Sequence, residues 1–430
     1  MPSSVAAALS LLLTFSLAAQ SDGAFVAWAR GRVVPIDSEG RAFRTLDRGI
    51  ADARLIGVGE SVHEAEPFLS FRHQLLQDLV RRHRVTALVL ESGLPEAMAL
   101  DDYVRGRTAT VDFDATLPGG FGALEEVRRT MEWLRTWNLG PGRKRPVGVY
   151  GADLPGRSGS MVPALDRLQE LTADPDVRSA IDSIRPVAVQ ISAGWWKGGA
   201  QKYDALSADA KASLTSEVNL LVERVHGLSQ GDKDRLEWAR RVALVAQQHE
   251  TVLRLGAFAP TAPRDIAMTD NTLWVLGRLA PGERAVYWAH NAHVQRVPVQ
   301  GPPLPPGSFP PAGLRFHAAL GKQYYAIATT YGGPSLDNAT GAENGSVDAT
   351  LESVGKGPFL LTLRGGKRSA SVDAWLGQAR LMRFQVGYLN VALGPAFDAV
   401  AYFDRATRAA RVSASFTSSN PPALPCRPAS

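Results

Sequence analysis

The segment Gly57-Val58-Gly59-Glu60-Ser61-Val62-His63 places a carboxylate and an imidazole three residues apart. The apolar run Ala53 to Gly59 is typical of a buried strand of an α/β sheet, and helical apolar spacing follows from Pro67 to Arg84. Glu60 and His63 are therefore predicted to lie in a strand-to-helix loop. Such a loop gives a general base both rigid support and access to a reacting proton.

Three further apolar runs end in acidic or imidazole side chains. These are Ala87 to Leu90 before Glu91, Pro146 to Tyr150 before Gly151-Ala152-Asp153, and Ala285 to Trp288 before His290 and His293. Because strand ends in α/β sheets meet at one edge, the four runs are predicted to form one polar pocket. Taken singly, Asp153 is better explained as a helix cap, and each late histidine as a buried, hydrogen-bonded ring.

The order of the elements predicts a layered α/β architecture with a central mixed, largely parallel sheet flanked by helices. Later strand candidates are Tyr324 to Thr330, Phe359 to Leu363 and Ala399 to Phe403. The predicted organisation is a signal peptide over residues 1–20, a catalytic domain over 21–408 with a helical insertion at about 160–260, and a flexible Pro/Ser-rich tail over 409–430.

Composition excludes several classes of protein. The 430 residues are 45% hydrophobic with a formal net charge of +5, and basic and acidic residues are interspersed, so no nucleic-acid partner is predicted.

The apolar run Val5 to Ala19 ends in small residues, which predicts a cleaved signal and export to the periplasm or medium, with no membrane span afterwards. Met1 to Ser4 lacks Lys and Arg, so an uncleaved anchor stays open. The one cysteine, Cys426, excludes an internal disulfide.

Several motifs in a fixed order resemble the erythromycin esterase family. They are Gly-x-Gly-Glu-x-x-His at 57 to 63, Arg72, Leu90-Glu91, Asp101-Asp102-Tyr103-Val104-Arg105-Gly106, Gly151-Ala152-Asp153, Arg264-Asp265-x-x-Met268 and Trp288-Ala289-His290-Asn291-Ala292-His293. The resemblance covers roughly residues 46 to 403. It departs from the commoner family pattern at Glu64, where members often carry a glycine directly after the histidine.

The resemblance implies hydrolysis of an ester, in the best-known members the lactone of macrolide antibiotics, without a cofactor or required metal. It also implies a role in antibiotic resistance. The family's functional positions match six residues of this chain, namely Glu60, His63, Arg72, Glu91, His290 and His293.

The residues themselves fit ester hydrolysis at neutral pH, which needs a base for water, donors for the oxyanion and an acid for the leaving alcohol. His63 suits the base, with Glu60 or Glu91 to orient the ring and raise its pKa. Arg72 is predicted to pair with a carboxylate or to stabilise the oxyanion. His290 and His293 are candidates for the oxyanion or leaving-group side, with their separate roles unassigned.

Two other functions stay open from the sequence. The Glu and His residues of the pocket also form a ligand set for a divalent ion in a metal-dependent hydrolase, although Arg72 would repel a cation. An exported protein that binds a small molecule without turnover is the other alternative. Ser61 is the candidate for a covalent route, but water attack is favoured because a serine two residues before its own base needs a tight loop.

The substrate is predicted to be a small-molecule ester or lactone, and the sequence does not fix its identity or the oligomeric state. Trp195 and Trp196 are candidates to line a broad apolar cleft, and Asp153 and Arg264 to contact the substrate. An ion pair or helix cap explains Arg264-Asp265 equally well.

Overall fold

The structure is a computed structural model that describes residues 22–37, 39–156, 159–194, 196–302, 304, 307–334, 336, 340–355 and 357–412, apart from the side chains of Pro118 and Trp196. The strands are β1 (Val34–Pro35), β2 (Leu55–Glu60), β3 (Val85–Gly93), β4 (Gly148–Asp153), β5 (Arg284–His290), β6 (Val299–Gln300), β7 (Ser308–Phe309), β8 (Tyr324–Tyr331), β9 (Phe359–Thr362), β10 (Ala379–Phe384), β11 (Gly387–Ala392) and β12 (Ala399–Phe403).

The helices are α1 (22–30), α2 (Arg41–Arg44), α3 (Glu66–Arg82), α4 (Leu94–Val104), α5 (Phe113–Thr116), α6 (Glu125–Leu139), α7 (Val162–Leu171), α8 (Pro175–Ile191), α9 (Trp196–Asp204), α10 (Ala208–Gly227), α11 (Lys233–Leu255), α12 (Pro263–Gly277), α13 (Asn291–Val294), α14 (Ala312–Leu320), α15 (Val347–Glu352), α16 (Ala370–Gly377) and α17 (Leu393–Ala396). Short 3-10 turns occupy Pro118–Ala123 and Gly321–Gln323. No helix within these ranges is long and apolar enough to cross a bilayer.

The central sheet has eight strands in the order β1-β9-β12-β8-β2-β5-β3-β4. Every neighbouring pair from β12 to β4 is parallel, whereas β9 runs antiparallel to both β12 and β1. The predicted mixed, largely parallel sheet flanked by helices is therefore confirmed, and so are the core strands named from the sequence.

Successive residues of the core strands point to opposite faces, and each face has its own apolar core. In β5, Val286 and Trp288 pack with α3 and α6, whereas Ala285, Tyr287 and Ala289 pack with α12 and α14. Because these strands are buried on both faces, their sequences are nearly continuous apolar runs. Packing on both faces in turn holds the ends of the strands in fixed positions.

Helices α7 to α11 fill residues 162–255 and pack around a separate apolar core that includes Leu165, Ile181, Leu221 and Val242. Helix α11 returns to the sheet by packing against α12, whose first turn carries Arg264 and Asp265.

Candidate active site

Four neighbouring parallel strands, in the order β2-β5-β3-β4, deliver polar side chains to one edge of the sheet. Glu60 ends β2 and His290 ends β5, and the two are paired in register. Asp153 ends β4, and Glu91 lies two residues before the end of β3. The structure thus brings together the four strand ends that the sequence singled out.

Gly59 allows the late histidine segment to approach β2. A Cβ atom at this position would lie 2.1 Å from Oδ1 of Asn291 and 3.0 Å from its Cα atom. Helix α13, which begins at Asn291 and contains His293, therefore packs directly on β2.

His63 and Glu60 form a dyad at the mouth of a cleft of about 1120 Å³. The imidazole Nδ1 of His63 lies 2.7 Å from Oε1 of Glu60, and the His63 side chain is 35% exposed. Burial lowers the pKa of His63, but the hydrogen bond and charge of Glu60, with the charge of Glu91, outweigh it and raise the pKa above its ordinary value. Nε2 has no hydrogen-bond partner among the described residues, and the ring lines the cleft.

Arg72 forms a buried ion pair with Glu60. Its Nη1 lies 2.9 Å from Oε2 of Glu60, and both side chains are nearly inaccessible, at 4% and 3% exposure. Nη2 of Arg72 donates to the carbonyls of Val58 at 2.8 Å and Ala289 at 2.5 Å. Of the two roles predicted for Arg72, the geometry gives it the pairing with a carboxylate.

Glu91 organises the opposite side of the site and makes no hydrogen bond to His63. One oxygen accepts from Nη2 of Arg264 at 2.9 Å, and the other accepts from the backbone N–H of His290 at 2.7 Å. Burial alone raises the pKa of Glu91, but the nearby charges of His293, Arg264 and His63 and the His290 N–H hold it well below its usual range. Glu91 is therefore a fixed anion, and of the two predicted orienting acids only Glu60 contacts the base.

His290 uses both ring nitrogens in backbone contacts. Nδ1 accepts from the N–H of Ala292 at 3.1 Å and caps α13, and Nε2 donates to the carbonyl of Ser61 at 2.9 Å. Burial, with the charges of His63 and His293, lowers the pKa of His290 well below its ordinary value. The ring is thus neutral and lies 5.3 Å from the ring of His63, centroid to centroid.

His293 lies in the opposite electrostatic environment. Nδ1 donates to Oδ1 of Asp265 at 2.7 Å, whereas Nε2 lies 3.2 Å from Nη1 of Arg264 and 3.5 Å from Oε1 of Glu91. Burial lowers the pKa of His293, but Asp265 and Glu91 outweigh burial and Arg264, so that the pKa is raised. Unprotonated Nε2 accepts from Arg264, and protonated Nε2 faces the carboxylate of Glu91.

Arg264 contacts three other side chains of this cluster. Its guanidinium pairs with Asp153, with Nη2 to Oδ2 at 2.5 Å and Nε to Oδ1 at 3.1 Å, and it also reaches Glu91 and His293. The preceding residue but one, Ala262, holds a left-handed φ of 52° at the start of α12, a conformation that L residues adopt at a cost. Asp153 and Arg264 both line the cleft where a substrate would contact them.

The β10–β11 hairpin contacts the His63 loop through Gln385, which lies in the turn between the two strands. The N–H of Gln385 donates to the carbonyl of Ser61 at 2.7 Å, and its side-chain Oε1 accepts from the N–H of His63 at 3.3 Å. Phe384 beside it packs edge-on against His290 with ring centroids 4.6 Å apart. Sequence reasoning missed this hairpin because its short strands alternate weakly and lie far along the chain.

Glu64, directly after His63, has a φ of 61°, the left-handed region that favours glycine. Its carboxylate contacts Nη2 of Arg411 at 2.8 Å and Nη1 of Arg408 at 3.3 Å, and its carbonyl accepts from the N–H of Ala409. These contacts offset the strained backbone. Residues 409–412, predicted as the start of a flexible tail, are thus hydrogen-bonded to the rest of the chain, Ala409 and Arg411 to Glu64 and the other two to the segment 123–125.

The cleft walls are largely apolar. Trp288, Phe121, Phe309 and Phe384 contribute to them, and Leu304 of the proline-dense segment forms part of the rim. Trp195, which was predicted to line the cleft, and the side chain of Trp196 lie outside the described residues. The cleft is large enough for a bulky apolar ligand.

Ser61, the sequence-derived candidate for a covalent route, is fully buried. Its Oγ has no hydrogen-bond partner in the described part of the chain and does not line the cleft. The structure therefore presents His63, and not Ser61, to a ligand.

Metal ligation was the rival interpretation of the Glu and His cluster. Among the described residues, no group of three or more His, Cys, Asp or Glu side chains is arranged to hold a metal ion. Arg264 lies between the carboxylates of Glu91 and Asp153, and Arg72 lies against Glu60. Guanidinium groups thus occupy the positions beside the acids.

The fold and the site define an α/β protein with a cluster of ionisable side chains at the carboxyl edge of its sheet. A sequence profile of the family described as Erythromycin esterase matches residues 80–406. The chain therefore belongs to the erythromycin esterase family, which supports a hydrolase. The profile match begins after His63 and Arg72, so their assignment depends on the motif spacing and on the geometry above.

Comparisons over nearly the whole chain agree. The chain is 23% identical over 422 residues to erythromycin esterase type II of Escherichia coli, covering 89% of this chain and 98% of the relative. It is 27% identical over 325 residues to erythromycin esterase type I of Escherichia coli, covering 68% and 74% of the two chains.

Solved structures share the fold. A protein from Bacillus cereus superposes with a TM-score of 0.75 at 21% identity, covering 91% of this chain and 99% of the other. A histidine-to-asparagine variant of the erythromycin esterase EreC in its open conformation superposes with a TM-score of 0.70 at 19% identity, covering 86% and 94%.

Proposed function

We propose that this protein hydrolyses a macrolide lactone or a related carboxylic ester by attack of water, with His63 as the general base. The observation that carries the proposal is the His63–Glu60 dyad, in which Nδ1 is held at 2.7 Å and Nε2 is left to the cleft. In this tautomer Nδ1 carries the proton and Nε2 accepts one from water. Glu60 raises the pKa of His63, which makes its imidazole a stronger base towards water.

The other polar groups of the site divide into two roles. Glu60 orients His63 and stabilises the imidazolium that forms, and buried Arg72 fixes Glu60 in place. Arg264 and His293 face the cleft from the other side, where a guanidinium stabilises an oxyanion and an imidazole with a raised pKa gives a proton to the leaving alkoxide. His290 is a positioning residue in this scheme, because both of its nitrogens serve the backbone.

A macrolide is the substrate class that the cleft and the relatives favour together. A cleft of about 1120 Å³ with mostly apolar walls accommodates a large ring lactone. Both Escherichia coli relatives are named erythromycin esterases. Opening of the lactone would make the protein a determinant of macrolide resistance.

The test is product formation from erythromycin A, followed by mass spectrometry, with and without EDTA. The unaltered protein is expected to add the mass of one water in both conditions, and the His63→Ala variant to add none. His226→Ala is the matched control, because His226 is exposed on α10, away from the cleft.

Each other outcome assigns a different mechanism. Activity that is lost with EDTA and restored by Zn²⁺ or Mg²⁺ would establish the metal-dependent alternative. Turnover by His63→Ala equal to that of His226→Ala would refute His63 as the base. Stabilisation of the protein by erythromycin A against heat, without product, would indicate a binding protein.

We also propose that the protein is exported, because residues 5–19 have the composition of a signal peptide. These residues lie outside the described part of the chain. N-terminal sequencing of the protein from a periplasmic extract is expected to begin near Ser21, and an intact Met1 on a membrane-bound product would indicate an anchor instead.

A further inference from the structure

His249 is a buried histidine with no role in the chemistry described above. It lies on α11 and is 3% exposed. The Gly159 backbone is a weak partner of the ring, and no described side chain is hydrogen-bonded to either ring nitrogen. Buried polar groups are nearly always paired, so a buried ring without a side-chain partner indicates that a further group binds there.

The ring of His249 faces a side chamber of about 60 Å³, which we define by its contacts with Leu154, Val252, Leu253 and Ala257. A single water needs about 10–15 Å³ on this measure, so the chamber has room for a small substituent. The side chamber adjoins the catalytic cleft, because Asp153, Leu154, Gly156 and Arg264 line both.

The chemistry of the side chamber selects a neutral group. Burial lowers the pKa of His249 to about 4, against the opposite effects of the Gly159 backbone and Asp153, so the ring is neutral at pH 7. A neutral imidazole offers one N–H donor and one acceptor nitrogen. The charge of Asp153 is already matched by Arg264. A hydroxyl on a short alkyl group can donate to the acceptor nitrogen or accept from the ring N–H, and its carbon atoms fit the apolar walls.

We propose that the side chamber receives a small hydroxyl-bearing alkyl part of the substrate next to the scissile ester, and that His249 determines specificity by hydrogen-bonding that hydroxyl. The inference rests on the proposed function, since it names the feature of the ester that the site reads. Arg264 connects the two sites, because it lines the side chamber and reaches Glu91 and His293 in the cleft. The side chamber therefore opens beside the guanidinium that we propose to stabilise the oxyanion.

The test compares erythromycin A with erythromycin B, which lacks one ring hydroxyl on the carbon next to the one that bears the ester oxygen. We expect the unaltered protein to prefer erythromycin A in kcat/KM by about tenfold, since one hydrogen bond accounts for roughly that factor. His249→Phe keeps the volume of the ring and is expected to bring the ratio close to one. His249→Gln keeps a donor and an acceptor and should retain part of the preference.

His73→Phe is the matched control, because His73 is also buried but packs under the sheet with Thr130 and Gln77. It is expected to lower stability without changing the ratio of the two kcat/KM values. If His249→Phe does not fold, His249→Gln and binding of both macrolides to the His63→Ala variant by calorimetry give the same comparison.

A ratio near one in the unaltered protein, or an unchanged ratio in both His249 variants, would overturn the inference. Turnover of simple esters without binding of either macrolide would overturn it as well, because the hydroxyl-bearing lactone would then be excluded. Absence of turnover with any ester is the separate failure of the proposed function. In that case an equal affinity of the two macrolides, or no affinity, also refutes the role of His249.

Discussion

Replacement of Glu60 by glutamine tests the dyad and its buried counterion together. The glutamine side chain would keep the shape of the original, and its carbonyl could still accept from Nδ1 of His63, so that the ring keeps its orientation. The negative charge is lost, however. The contact of 2.7 Å becomes a neutral hydrogen bond, and Arg72 at 2.9 Å loses its counterion.

The expected loss of activity follows from the change in the hydrogen bond. Bonds to charged groups contribute about 1.5–3 kcal/mol and neutral ones about 0.5–1.5 kcal/mol, so the imidazolium loses about 1–2 kcal/mol of stabilisation. We therefore expect kcat/KM to fall roughly 5- to 30-fold. Loss of a buried charge partner is expected to cost up to about 3–5 kcal/mol of folding stability, because the side chains of Glu60 and Arg72 are both buried.

The pH dependence of kcat/KM shows in which direction the loss of the Glu60 charge shifts the pKa of His63. His63 acts as a base only when unprotonated, so kcat/KM falls as the pH drops through its raised pKa. Without the charge of Glu60, burial and Arg72 both lower the pKa of His63, and the acid limb is expected to move to lower pH. The assay is kcat/KM for erythromycin A across the pH range, together with urea unfolding.

A double variant separates stability from catalysis. Glu60→Gln with Arg72→Met removes the unpaired cation, so it should recover folding stability, whereas the acid limb should move back only by the small effect of Arg72 and stay below its original position. An acid limb that stays where it is in Glu60→Gln would refute the assignment of His63 and Glu60 as the titrating pair.

Three further perturbations address other parts of the site. Ser61→Ala is expected to retain turnover within about twofold, since its Oγ is buried and unpartnered in the described residues; a loss of several hundredfold in single-turnover kinetics would indicate a covalent route. Arg411→Ala should lower kcat/KM a few-fold by loosening Glu64, and the difference should shrink at high salt because Arg411 is partly exposed. Burial lowers the pKa of His73 to about 4 from 6.5, so only the unfolded chain binds its proton in that window, and stability falls as pH drops through it. His73→Phe should reduce the fall in unfolding free energy between pH 7 and 4.5 by about 2 kcal/mol, measured in urea.

The sheet was predictable because its strands are buried on both faces. Leu55 to Glu60 and Arg284 to His290 are short apolar runs that end in polar residues, and such runs have few other structural solutions. Their pairing is not local, however. Nothing in the spacing says that β5 inserts between β2 and β3, which is what places His290 beside Glu60.

The sequence did not predict the contacts that residues from distant loops make in the site. Asp265 was part of a recognised motif, for which an ion pair or cap and a pocket role were equally good explanations; it is buried and bonded to Nδ1 of His293. Gln385 and Arg411 contact the His63 loop across more than 300 residues of chain. Such contacts depend on the path of the chain and not on local pattern, so only the three-dimensional structure reveals them.

The motif His290-x-x-His293 contains two identical side chains with opposite electrostatics, and the cause lies in what each nitrogen meets. His290 meets only backbone groups, which satisfy a neutral ring, and burial then disfavours its charged form. His293 meets Asp265 and Glu91, which favour the charged form despite burial. Environments that drive like groups apart in pKa mark the assignment of acids and bases. A protonated His290 would repel both His63 and His293, so the neutrality of His290 helps to keep the pKa of each of those histidines raised.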